Sequence, residues 1–311
     1  MRFGLAIAVA LVVGGAHAHE VGGWRAGRPA PAERSEVAVA AIDGRAYVIG
    51  DFAGATELLI YDPSRETWTK GAPFPYPVHH TMAAGYGGRI YVFGGYVNGW
   101  EASGKVWVYD PGADAWERRR DLPTPRAAGG ATVIGTAIHV VGGSVSGRAN
   151  SPAHEVYDPA TDSWTSAAPL PTPRDHLSVQ AVDGKLVATG GRVDGEPSRN
   201  LAVNEVYDAA ADRWNAAAPL PTPRSGAAST VLGREVIVIG GESASKTFDA
   251  VEAYDPRADL WRALARLRHP RHGFGAVTHE GRIHSLLGSP RPGGDRSSLV
   301  EVLDPTPLPS P

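Results

Sequence analysis

The sequence predicts an all-β fold made of six four-stranded units closed into a ring. Three observations carry that prediction. First, tryptophan recurs along the 311 residues at Trp24, Trp68, Trp116, Trp164, Trp214 and Trp261, with spacings of 44, 48, 48, 50 and 47. Second, 26 residues after each Trp begins a glycine-containing pair: Gly50-Asp51, Gly94-Gly95, Gly142-Gly143, Gly190-Gly191, Gly240-Gly241 and Leu287-Gly288. Third, a Tyr-Asp pair starts seven residues before five of the tryptophans, at Tyr61, Tyr109, Tyr157, Tyr207 and Tyr254. A fixed register over this many copies is the signature of a repeat architecture.

Each period reads as strands a, b, c and d. Arg45–Gly50, Arg89–Gly94 and Arg234–Gly240 are short β-branched and aromatic runs that end in glycine. Asp43-Gly44, Gly87-Gly88, Asp183-Gly184 and Glu280-Gly281 precede such runs as hairpin turns. Strand a therefore lies before the tight turn and b runs up to the glycine pair. Strand c ends at Tyr-Asp, and d begins at Trp. The last period has a c strand over residues 298–303 but no Trp after it, whereas Trp24 opens the chain without strands a to c. The N-terminal segment is accordingly expected to supply strand d of the sixth unit, closing the ring and covering its edges.

The layout of glycine pair, Tyr-Asp and Trp at a pitch near 48 resembles the kelch repeat over residues 19–304. That resemblance implies a six-bladed β-propeller, four antiparallel strands to a blade around a channel. It also implies binding of acidic partners through arginines at the strand-a entrance and through the b–c loops, so the first reading is a binding module for an acidic peptide, protein or anionic glycan. Exported kelch propellers that interconvert the anomers of sialic acid are similar in compartment and blade number, which implies an acidic-sugar mutarotase as the second reading.

Topology sets the functional face. In a four-stranded meander the d–a and b–c loops share one end. The intervals from the first residue of the glycine pair to the Tyr are 11, 15, 15, 17 and 14, so length variation falls in the b–c loops. Variable loops on a rigid scaffold are where binding sits. On the same face, ten residues after Trp, stand Arg34, Arg126, Arg174, Arg224 and Arg271; the second unit has Val78 there, followed by His79 and His80. Two roles are open to the arginines. They can face a carboxylate or phosphate ligand, which their fork geometry suits. Alternatively they pair with Glu155, Glu205, Glu252 and Glu301, placed two residues before the Tyr or its equivalent Leu303. The candidate ligand site comprises the five arginines with His79, His80, His176 and Trp100. Phe248 is a further aromatic on these loops, and Glu36, Asp175, His80 and His176 are the acid–base candidates for a mutarotase.

Composition narrows the classes. There are no cysteines, and Lys+Arg 30 nearly balances Asp+Glu 33. Thiol catalysis and thiolate metal sites are thereby excluded, and no basic stripe points to nucleic acid. No nucleophile elbow, P-loop, paired-histidine zinc helix or EF-hand loop is present. The converging histidines follow the repeat rather than a ligand motif, so no metal and no cofactor are expected. Arg2, the apolar run Phe3–Val13 and Ala16-His17-Ala18 read as a signal peptide cleaved after Ala18, placing the protein in the periplasm or outside the cell. No segment is long enough to span a membrane. The expected division is thus a signal peptide over 1–18, a propeller over 19–304 and a Pro-rich tail over 305–311.

Overall fold

A computed structural model describes residues 23–304; the signal peptide expected over residues 1–18 and the tail over 305–311 lie outside the described residues. The described chain forms six four-stranded antiparallel sheets arranged as propeller blades. Blade 1 is Ala38–Ile42, Arg45–Ile49, Leu58–Asp62 and Thr67–Gly71, and the same order recurs in the following four blades. Blade 6 takes Gly275–His279, Arg282–Leu286 and Val300–Leu303 from the C-terminal end, and its outer strand is Trp24–Ala26. Trp24 pairs with Leu303 in that sheet. The ring is therefore closed by the N-terminal strand.

The repeated residues are the joints between blades. Each c-strand Tyr lies opposite the d-strand Trp of its own hairpin, as in Tyr157↔Trp164 and Tyr207↔Trp214. The indole N–H then donates to a carbonyl of the preceding blade: Trp116 to Ala72, Trp214 to Ala168, Trp261 to Ala218 and Trp24 to Ala265. In four blades the Tyr hydroxyl donates to an Asp five residues on, and that carboxylate accepts a backbone N–H from the preceding blade, as Asp212 does from Tyr207 and Ala168. A large apolar body with a polar tip is what such a joint needs.

The glycine pairs answer a different need. Gly143 has φ 101°, and a Cβ there would stand 2.5 Å from the Ala127 carbonyl oxygen. Its N–H donates to the carbonyl of Arg174 in the next blade, as Gly191 does to Arg224 and Gly241 to Arg271. The glycine pair and the arginine thus keep register because their backbones touch.

The a strands of neighbouring blades pack around the axis. They line a channel of about 340 Å³ with small or hydroxyl-bearing residues such as Ala40, Ala84, Thr132, Thr230 and Thr278. No helix among the described residues is long and apolar enough to cross a membrane.

Candidate functional site

The five arginines turn away from the mouth and into their own blades. Arg34, Arg126, Arg174 and Arg271 are fully buried and Arg224 is 1% exposed. Arg174 shows the pattern. Its Nη1 donates to Glu205 at 2.6 Å and to the Thr172 carbonyl at 2.8 Å, while Nε and Nη2 donate to the carbonyls of Gly190 and Ala188. Arg126, Arg224 and Arg271 pair likewise with Glu155, Glu252 and Glu301, and Arg34 uses Glu57. Blade 2 lacks both partners: Val78 replaces the arginine, and Trp107 takes the glutamate position. Of the two roles the sequence left open, this geometry is that of internal pairing. A guanidinium buried in this way, with its Nη donors on carbonyls and a carboxylate, does not face a ligand at the mouth.

The channel mouth is built two residues further on. Glu36, His80, Ala128, His176, Gly226 and Gly273 occupy equivalent positions, one per blade, and all have φ between 53° and 62°. Their backbones form a closed ring: each N–H donates to the carbonyl of the preceding member, from Glu36 to Gly273 at 2.7 Å round to Gly273 to Gly226 at 2.9 Å. Glycine adopts this left-handed conformation without cost, whereas a residue with a Cβ loses about 1–2 kcal/mol. Blades 5 and 6 use glycine. Blades 1, 2 and 4 instead carry ionisable side chains, and strain of this kind collects at functional sites.

Those side chains meet at a throat of about 90 Å³ lined by Glu36, His80, His176, Gly226 and Gly273. Glu36 lies 3.1 Å from His80 Nε2 and 3.1 Å from His272 Nδ1. Burial alone would raise the Glu36 carboxyl, but His80 and His272 outweigh it and hold Glu36 well below the ordinary carboxylate range. His176 Nδ1 faces Asp175 at 2.5 Å, and its Nε2 accepts from Arg192 at 2.9 Å. Burial, and then the Arg192 charge, pushes His176 below its usual value. Arg192 also donates to Asp175 and to Glu242. Glu242 in turn lies 3.5 Å from His272. The result is a belt of alternating charge around the mouth, all of it largely buried.

One side of the mouth is aromatic. His79 sits between Phe52, Tyr96 and Trp100, with ring centroids 5.2–5.5 Å away. Burial and the neighbouring His80 push it down to about 4. Trp100 is half exposed and walls a pocket of about 380 Å³, shared with Arg148, His176, Arg192, Asp194 and Glu196. Phe248 also lies on this face, with Lys246 over its ring.

His79, His80, His176 and Trp100 are therefore brought together, and the arginine ring stands apart from them. Arg192 and Glu242 were not singled out from the sequence. Both lie 28 residues after their Trp, immediately past the glycine pair, where the other blades have Phe52, Tyr96, Ser144 and Ser289. Two opposite charges at one repeat position were the available signal.

Six blades, ring closure and the repeat register define a six-bladed β-propeller. The chain belongs to the kelch-repeat family: residues 79–288, more than half of it, match the KLHDC2/KLHL20/DRC7 Kelch-repeats domain. Among solved structures it is similar to one described as the structure of YjhT, with a TM-score of 0.78 at 18% identity over 88% of this chain and 95% of that one. At that identity the likeness is one of fold. No curated protein matches the sequence.

Proposed function

We propose that the protein is an exported propeller that binds a small acidic sugar, free or at the end of a glycan, in the pocket under Trp100. The pocket itself carries the proposal: an exposed indole face beside buried, fixed polar groups, in a space of about 380 Å³. An apolar platform with a few fixed polar groups is how ligand sites hold a small molecule in one orientation. Arg148, whose side chain is 81% exposed and pairs with Glu196 at 3.1 Å, is the solvent-facing cation of the pocket, with donors left over for the acid group. A protein partner would require roughly 800 Å² of surface per side, whereas this mouth concentrates its polar groups in one recess and the throat beneath it. Export rests on Arg2, the apolar run Phe3–Val13 and the small residues flanking His17.

Ligand-observed NMR with sialic, glucuronic and galacturonic acids tests this reading. The expected result is saturable binding that weakens about tenfold in Trp100→Ala, equivalent to roughly 1.4 kcal/mol. Equal binding by Trp100→Ala would displace the ligand from this pocket.

A second reading, catalysis of anomer exchange, is favoured by the meeting of Glu36 with His80 and Asp175 with His176, the two imidazoles 4.8 Å apart. Ring opening and closure need one group that gives a proton and one that takes it. Exchange NMR of an acidic sugar would show faster interconversion with the protein, lost in Glu36→Gln. An unchanged rate with bound sugar leaves a binding protein without catalysis.

A further inference from the structure

We propose that Glu36, His80 and His176 form a site for one divalent transition-metal ion of zinc type at the throat. Each offers one ligand atom, and the three atoms lie within 4.8 Å of one another. Two imidazoles and one carboxylate form a donor set that zinc accepts, leaving a fourth position for water or a ligand atom. The throat supplies room for that fourth group, and His176 lines both the throat and the Trp100 pocket.

What distinguishes this cluster from a chance meeting of polar groups is the support behind each ligand. His176 Nδ1 is held by Asp175 at 2.5 Å, which leaves Nε2 as the lone pair. The other oxygen of Glu36 lies 3.1 Å from His272 Nδ1, a charge contact. His80 Nδ1 faces His79 Nδ1 at 2.5 Å, and His79 Nε2 faces the Gly99 carbonyl at 2.8 Å. Outer contacts of this kind fix the tautomer and orientation of metal ligands.

The hydrogen bonds of the two adjacent histidines aim His80 at the same point. The Gly99 carbonyl only accepts, so His79 Nε2 carries a hydrogen. His79 Nδ1 then accepts, so the hydrogen between the two rings belongs to His80 Nδ1. His80 Nε2 is thereby turned to Glu36, 3.1 Å from a carboxylate oxygen, a gap that a proton or a metal ion bridges. A metal ion satisfies His80 and Glu36 at once and adds His176 as third ligand. Arg192 would give up His176 Nε2 and keep Asp175 and Glu242.

All three ligands stand at left-handed positions, with φ of 54°, 54° and 53°, where two other blades use glycine. This site does not depend on the sugar proposed above, and its test does not involve one.

The mature protein, stripped with a chelator, is titrated with Co²⁺ and followed by visible absorption, and with Zn²⁺ in competition with a chromophoric chelator. One equivalent should bind, raising the thermal midpoint and giving the visible bands of a low-symmetry cobalt site. Glu36→Gln, His80→Ala and His176→Ala should each weaken binding at least 100-fold, and Asp175→Asn, acting through His176, about 10–100-fold. Circular dichroism confirms that the variants fold, and His279→Ala, on the opposite face, should bind as the wild type does. No binding by the folded wild type would overturn the site. Undiminished binding in the three ligand variants would overturn it equally.

Discussion

Replacing Arg174 with alanine should unfold the propeller early rather than merely blunt its binding. The guanidinium is fully buried and donates to Glu205 and three backbone carbonyls. Without it, Glu205, itself 7% exposed in the side chain, keeps only the Thr172 hydroxyl at 2.8 Å. Breaking a buried pair from one side costs about 3–5 kcal/mol, because a charge is left without its partner. For a chain of this size that is a fall of roughly 10 °C in Tm. Guanidinium unfolding of Arg174→Ala against wild type measures it. The double variant Arg174→Met, Glu205→Gln removes both charges and should recover much of the loss. Arg34→Ala should cost less, about 1–2 kcal/mol, because its partner Glu57 is half exposed and water can take over. If Arg174→Ala unfolds with the wild type and instead loses ligand affinity, the pairing account is wrong.

Three further outcomes follow from the same geometry. Trp24→Ala should cost about 3–5 kcal/mol in unfolding free energy, since it removes a buried indole and its bond to Ala265 at the ring closure; a loss below 1 kcal/mol would mean the closing strand is dispensable. In the backbone ring, Gly226→Ala should cost about 1 kcal/mol for the left-handed conformation. Gly273→Ala should cost clearly more, because its Cβ would stand 2.6 Å from Glu36 Oε1; equal costs would argue against the packing described. Burial pushes His284 down to about 4, against about 6.5 in an unfolded chain. The unfolded chain then binds a proton that the native one refuses, so stability falls as pH drops from about 6.5 to 4 and this loss stops below 4. His284→Gln should flatten the fall in unfolding free energy between pH 7 and 4.5 by about 2 kcal/mol; parallel profiles would contradict the assignment.

The fold was legible because each repeated residue is a joint that every blade must make. Trp, Tyr-Asp and the glycine pair keep their spacing since they connect neighbouring backbones, and the unpartnered Trp24 disclosed the closure for the same reason. The site was legible only in part. Ten residues after Trp, the arginine was conspicuous, but the direction of a long side chain is not written at its own position. The partner decides it: Glu155, Glu205, Glu252 and Glu301 draw the arginines inward, and in blade 2 Val78 and Trp107 replace both members. Twelve residues after Trp the signal was weaker but more telling. There two blades have Gly226 and Gly273 and one has Ala128, whereas Glu36, His80 and His176 bring ionisable side chains to the mouth from the same left-handed backbone. Arg192 and Glu242 escaped notice because they follow the glycine pair, in the stretch where loop length begins to vary.

In the function proposed above, the acid group of a ligand is read by the Trp100 pocket and its Arg148, not by the arginine ring. Calorimetric titration with glucuronic acid and with glucose, on wild type and on Arg148→Ala, tests it most directly. Arg148 is too exposed for its loss to disturb folding by more than about 0.5 kcal/mol. Wild type is expected to prefer the acid, and the preference to collapse in the variant. An undiminished preference in Arg148→Ala, or none in the wild type, would contradict it.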